Sequence, residues 1–259
     1  CSSALDTLTV GFHFFPPSGT GGVVVWHQIP AQGQSYPAPR WGHVLLPMVH
    51  APFSTVSRFL LFGGTNGQQF FNDVWLLTVD LSSCPDMPSV AWTQVNPAAV
   101  AGIPSGRADF STTVLSFFQP ASPLLGSTFK LFFFGGATQQ GPSDEAWILF
   151  GSLGEAPALE WKRVDADVSA GAPGSRVGAT AFYNQGVDYV TLFGGRTADG
   201  RLLNDLWFLT SAAGENGPTK WCLGSPDGLP SAPPPRAYAH ADVYQFRITG
   251  GDADSEARW

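Results

Sequence analysis

The chain has 259 residues, of which 44% are hydrophobic and only 13% charged, with a net charge of −7 at neutral pH. Such a dry balance suits an all-β body with much internal surface. No basic cluster exists, which argues against nucleic acid as a main partner, and no apolar run reaches the roughly 18 residues of a spanning helix, which argues against membrane insertion.

In chain order, the start reads CSSALDTLTVGFHFFPPSG, with neither an initiator Met nor a basic leading stretch. The expectation is that no signal peptide is present and that the chain is a piece of a longer protein. LDTLTV and VVVWHQI then read as two strands. From there a four-part pattern returns. A Pro-rich turn ends in Arg (PAPRWGHVLL, PSGRADFSTTVL, PGSRVGATAF, PPPRAYAHADV) and opens a strand a. Pro fixes φ and lacks a donor, so the turn stops one strand before the next begins. An apolar run ending in Gly-Gly follows as strand b (FLLFGG, LFFFGG, VTLFGG, RITGG), the composition of a strand buried on both faces. Next come Asn72-Asp73, Asp144-Glu145 or Asn204-Asp205 leading into strand c (VWLLTVD, AWILFG, LWFLTS), and strand d carries a lone Trp (VVVWHQI, VAWTQV, LEWKRV, TKWCLG).

Gly63-Gly64, Gly135-Gly136, Gly194-Gly195 and Gly250-Gly251 are thus one position visited four times, at intervals of 72, 59 and 56 residues. Trp26, Trp92, Trp161 and Trp221 keep step with them. Periods of this length mark propellers or solenoids. The boundaries that follow are 1–30 for strands c and d of an incomplete repeat, 31–97, 98–166 and 167–226 for three full repeats, and 227–259 for a partial one.

An Arg-x-Gly-His turn, an apolar run with Gly-Gly, Asp-Val-Trp and a later Trp together resemble the kelch repeat, over nearly the whole chain. The Gly-His is intact only after Arg40. The resemblance implies a β-propeller of four-stranded antiparallel blades, part of a ring of about six or seven. It implies that the Gly pairs end strand b where a side chain would collide with the next blade, and that Trp side chains of strands c and d fill the wedges between blades.

Alternating strands put the d–a and b–c loops at one end. Arg40, Arg107, Arg176 and Arg236 lie there, with Asn66, Gln68, Gln69, Gln139, Gln140, Arg196 and Arg201 from the b–c loops. In ubiquitin-ligase adaptors of the kelch family these positions line a peptide-binding mouth, so the resemblance makes Arg40, Asn66, Gln68, Gln69, Arg107, Gln139, Gln140, Arg196 and Arg201 the candidate partner face. The competing reading is that the repeated Arg hydrogen-bonds loop carbonyls and holds the repeats together. Arg196 and Arg201 stand outside that position and are expected to be exposed. At the other end, apolar loops bearing Phe53, Phe117, Phe118 and Leu125 are an alternative contact surface.

Catalytic signatures are poor. No His-x-x-x-His, Cys-x-x-Cys, nucleophile elbow or phosphate loop occurs, so no metal and no cofactor is expected. Galactose-oxidase-like enzymes need paired Tyr with a nearby Cys, and the five Tyr here have none. The expected function is a non-catalytic protein-interaction scaffold within a larger protein or complex. The alternative is an extracellular glycan-binding or copper-oxidase-related propeller. Three Cys at unrelated repeat positions and the lack of an Asn-x-Ser/Thr sequon favour a cytoplasmic setting.

Overall fold

A computed structural model describes residues 7–13, 24–30, 35–48, 55–80, 82, 89–99, 102–118, 128–153, 157–212, 218–228, 230, 232–242 and 247–253. Among them there are strands and turns but no helix, hence none long and apolar enough to cross a membrane. Phe53 and Leu125 lie outside the described residues, as does the side chain of Trp26.

The chain divides into two compact units. The first comprises Cys1–Pro39, Leu45–Leu61 and Val74–Val95. It holds the antiparallel pair β1 (Thr7–His13) and β2 (Val24–Pro30), in which Trp26 stands opposite Gly11. It also holds most of a four-stranded sheet in sequence order: β3 (Val44–Met48), β4 (Val56–Phe62), β5 (Val74–Asp80) and β6 (Ser89–Val95). Among the described residues, Leu77, Val79 and Val90 form a buried cluster in it, with Phe59 and Trp92 packed on them half-buried. Trp92, expected between repeats, is only half-buried. Trp92 stands opposite Leu77 in the β5–β6 ladder and covers the apolar cluster of its own sheet.

The second unit comprises Arg40–Val44, Phe62–Asp73 and Asn96–Trp259. After the short β7 (Arg107–Ala108) come β8 (Ser111–Phe118), β9 (Thr128–Phe134), β10 (Ala137–Thr138), β11 (Gly141–Pro142), β12 (Ala146–Ser152) and β13 (Ala158–Arg163). The strands β8, β9, β12 and β13 form a four-stranded antiparallel sheet. A second such sheet is built from β14 (Thr180–Asn184), β15 (Tyr189–Arg196), β16 (Leu202–Thr210) and β17 (Lys220–Ser225). Two hairpin-like pairs complete the strands: β18 (Arg236–Ala237) with β21 (Asp252–Ala253), and β19 (His240–Asp242) with β20 (Arg247–Thr249).

These sheets are blade-like, and apolar side chains fill the space between the two in this unit. Phe132 and Phe134 of one meet Tyr183, Val190, Leu192, Trp207 and Trp221 of the other in a single buried cluster. Trp221 packs edge-on to Phe134 at 5.5 Å between ring centroids. Trp161, 1% exposed, sits among Phe62 at 4.9 Å, Phe133 at 5.2 Å and Trp147 at 6.4 Å. Such ring pairs add to an already large area term. The backbone also straps the start of a repeat to its last strand: Ala98, just after β6, bridges in parallel to Glu160 of β13, and Asp167, just after β13, bridges in parallel to Lys220 of β17.

Trp161→Ala is expected to cost about 3–5 kcal/mol as a core aromatic truncation, and Trp92→Ala clearly less because that ring is half in water. Denaturant titration of both variants checks this ranking; equal losses would refute it.

Candidate functional site

The loop end of the second unit is built around the repeated arginine. Arg107 is fully buried and donates to the carbonyl of Gly135 at 3.0 Å and to the Glu145 carboxylate at 2.7 Å. Arg176 does the same to Gly194 at 3.0 Å and, in bidentate fashion, to Asp205 at 2.7 and 2.9 Å. Arg40 donates to Gly63 at 3.0 Å and to both oxygens of Asp73, with its guanidinium over the Phe71 ring. Arg236 donates to Gly250 at 3.1 Å. The acid has a second task, accepting the indole N–H of the Trp two residues on: Trp147 to Glu145 at 3.2 Å and Trp207 to Asp205 at 2.7 Å. The recurring Arg, glycine and acid are thus one clamp in the three full repeats, joined by the Trp in the second and third.

The glycine pair turns the clamp into a link between repeats. The N–H of Gly64 donates to the carbonyl of Arg107 at 2.8 Å, and that of Gly136 to the carbonyl of Arg176 at 2.9 Å. The preceding glycines, Gly63 and Gly135, have φ of +70° and +67°, and a Cβ on either would lie 2.7 Å from the same arginine carbonyl. Both the backbone angle and the space therefore demand glycine.

Arg40 and Arg107 were candidates for the partner face, and the structure corrects this. Their side chains are buried and committed to their own repeats, so they set the height and angle of the loops rather than meeting a partner. Asn66, Gln68, Gln69, Gln139 and Gln140 are exposed. Asn66 also shapes its loop, its side-chain oxygen accepting the backbone N–H of Gln68 and of Gln69, each at 3.0 Å. Arg201 is exposed but ion-paired with Asp227. Arg196 is half-buried, not exposed as expected: it donates to the Tyr238 hydroxyl at 3.1 Å and lies 5.5 Å from that ring's centroid.

Tyr238 belongs to a constellation that the sequence reading missed. Two residues after each repeated Arg, the chain adopts a left-handed conformation: Gly42 at φ +64°, Asp109 at +55°, Gly178 at +63° and Tyr238 at +59°. Their amides form a chain from repeat to repeat, Asp109 N–H to the Gly42 carbonyl at 2.9 Å, Gly178 to Asp109 at 2.8 Å and Tyr238 to Gly178 at 2.6 Å. Where glycine would be cheapest, two repeats carry side chains that meet. The Tyr238 hydroxyl lies 3.4 Å from a carboxylate oxygen of Asp109, so Asp109, Arg196 and Tyr238 converge from three repeats. Burial pushes the Asp109 carboxyl above its ordinary value, against the Tyr238 hydrogen bond and the Arg196 charge that pull it down. The sequence signal was the loss of Gly from Arg-x-Gly in these two repeats. Trp41, 57% exposed, stands over Gly67 beside this row. Among the described residues no group of three or more His, Cys, Asp or Glu could hold a metal.

Burial raises the Glu145 carboxyl, but hydrogen bonds from Arg107 and Trp147 override it, and the net position is below the ordinary value. A carboxylate easier to ionise in the fold stabilises above its unfolded pKa, and that contribution is lost as pH falls through the lower folded pKa. Glu145→Gln, which leaves Arg107 buried with a neutral partner, is expected to cost about 3–5 kcal/mol at pH 7. The gap to wild type should shrink in the acid range, and urea melts at pH 7 and pH 3 read both numbers.

No protein-family model matches the chain, and no curated protein does. Among solved structures it is similar to a chain in a cryo-EM structure of RAG in complex with one melted RSS and one unmelted RSS, at TM-score 0.52 and 17% identity, covering 92% of this chain and 70% of that one. It is also similar to the structure of YjhT, at TM-score 0.44 and 16% identity, covering 83% of this chain and 59% of that one, less than two thirds of YjhT's length. At such identity, the first likeness speaks for the fold alone: an all-β chain of blade-like antiparallel sheets.

Proposed function

We propose that the chain is a kelch-type β-propeller segment acting as a non-catalytic protein-interaction scaffold, with its partner seated on the loop end. The observation that carries this is a division of labour. The buried Arg–Gly–acid clamps hold the loops, while exposed amide side chains from separate repeats, Asn66, Gln68, Gln69, Gln139 and Gln140, stand at the rim. Separate loops presenting donors and acceptors from a rigid base are how a repeat fold makes a specific surface. Trp41 adds an exposed aromatic anchor of the kind that dominates interface energetics. The kelch assignment rests on the repeat motif and on the clamp joining its Arg, Gly and acid. The opposite end offers Phe118, 64% exposed at the end of β8, as the competing contact.

Photo-crosslinking residues placed singly at Gln68, Gln139 and Phe118 test the choice of end in the native extract. Protein adducts from Gln68 and Gln139 but not from Phe118 are expected. Adducts from Phe118 alone would move the partner to the other end, and none from any position would remove the scaffold reading.

A further inference from the structure

One repeat lacks a tie that its neighbours have. In the first repeat, the side-chain amide of Asn72 donates to the carbonyl of Pro104 at 3.4 Å. In the third, Asn204 donates to the carbonyl of Pro233 at 3.1 Å. Each Asn immediately precedes the clamp acid, Asp73 or Asp205, and each Pro lies three residues before the next repeated arginine, Arg107 or Arg236. The tie therefore closes the gap between a b–c loop and the linker to the following repeat.

The second repeat has the same register with a different residue: Asp144 before Glu145, and Pro173 three before Arg176. An ionised carboxylate only accepts, so Asp144 cannot close the gap to a proline carbonyl. Among the described residues neither Asp144 nor the Pro173 carbonyl has a hydrogen-bond donor. In place of the tie there is a cleft of about 290 Å3, lined among others by Asp144, Asp165, Val164, Ala166, Pro173 and Trp221. Arg163, also at this cleft, is turned to the clamp acid Glu145 at 3.6 Å.

Resting on the scaffold reading above, we propose that this cleft takes the cationic side chain of a lysine or arginine from the partner protein. The ammonium or guanidinium supplies the N–H donors that Asn supplies in the neighbouring repeats, to the Asp144 carboxylate and the Pro173 carbonyl, with Asp165 as a second counter-charge. Charge-assisted bonds of this kind are about twice as strong as neutral ones. The methylene stem lies along Val164, Ala166 and Trp221, as long cationic side chains do on apolar surface. The volume is at the lower edge of the roughly 300–1,000 Å3 of drug-sized pockets, which suits one side chain. A bare divalent cation suits it less, since it needs six or more oxygen ligands. A net charge of −7 steers a basic partner toward the chain.

The test uses the whole chain and a fluorescein-labelled peptide of alternating glycine and arginine, read by fluorescence anisotropy. Citrulline and glutamate versions of the peptide serve as controls. Asp144→Asn installs the residue that the first and third repeats already carry, so the cleft closes without loss of fold. The arginine peptide is expected to bind wild type, to lose at least tenfold in affinity with Asp144→Asn, and to lose less with Asp165→Asn. The melting temperature of Asp144→Asn should equal or exceed that of wild type. Unchanged binding by Asp144→Asn, equal binding of the citrulline peptide, or preference for the glutamate peptide would each overturn the proposal. Failure of the arginine peptide to bind would overturn it as well, while the crosslinks at Gln68 and Gln139 would still report on the scaffold reading separately.

Discussion

The loop end depends on one interaction: a guanidinium taken out of water and held between a glycine carbonyl and a carboxylate of its own repeat. Removing such a cation from water is costly unless every donor finds an acceptor. That is why the arginine, the Gly pair and the acid-x-Trp recur together rather than independently. The carbonyl of the first glycine faces its own arginine, the N–H of the second faces the next arginine's carbonyl, and the acid accepts from both arginine and indole. Only these few positions need a fixed spacing in space. The loops between them are therefore free to differ, and intervals of 72, 59 and 56 residues are built around the same device.

Exposed at this end are the amides Asn66, Gln68, Gln69, Gln139 and Gln140, the Trp41 ring, and the charged Asp144 and Arg201. Asp109, Arg196 and Tyr238 are joined to one another, and the Tyr238 ring spans from one repeat over Gly178 to another. Placing an aspartate and a tyrosine in left-handed backbone costs free energy that glycine would spare. What offsets it is a bridge across three repeats that glycine could not make.

The sequence disclosed what recurs. Gly63, Gly135 and Gly194, the four arginines, and Trp161 and Trp221 were legible because a structural demand repeated in space leaves a repeat in the chain. Roles that depend on environment were not. Trp92 matches Trp161 in register, yet Trp161 is fully buried among phenylalanine rings from two repeats whereas Trp92 is half-buried on Leu77, Val79 and Val90 of its own sheet. Arg40 and Arg107 looked equally fit to bind a partner or to hold loops, and only burial separates the two. Asp144 differs from Asn72 and Asn204 by the exchange of an amide for a carboxylate. Its meaning lies in Pro173, 29 residues on, whose carbonyl then goes without its donor.

The parallel bridges from Ala98 to Glu160 and from Asp167 to Lys220 have a further consequence. Each ties the first residues of a repeat, 98–166 or 167–226, to the outer strand of that same repeat. The chain thus closes each of these repeats on itself before it leaves for the next. A repeat excised at these boundaries carries its own strap with it, whereas a cut a few residues further in removes the strap and leaves the edge of β13 or β17 unpaired there.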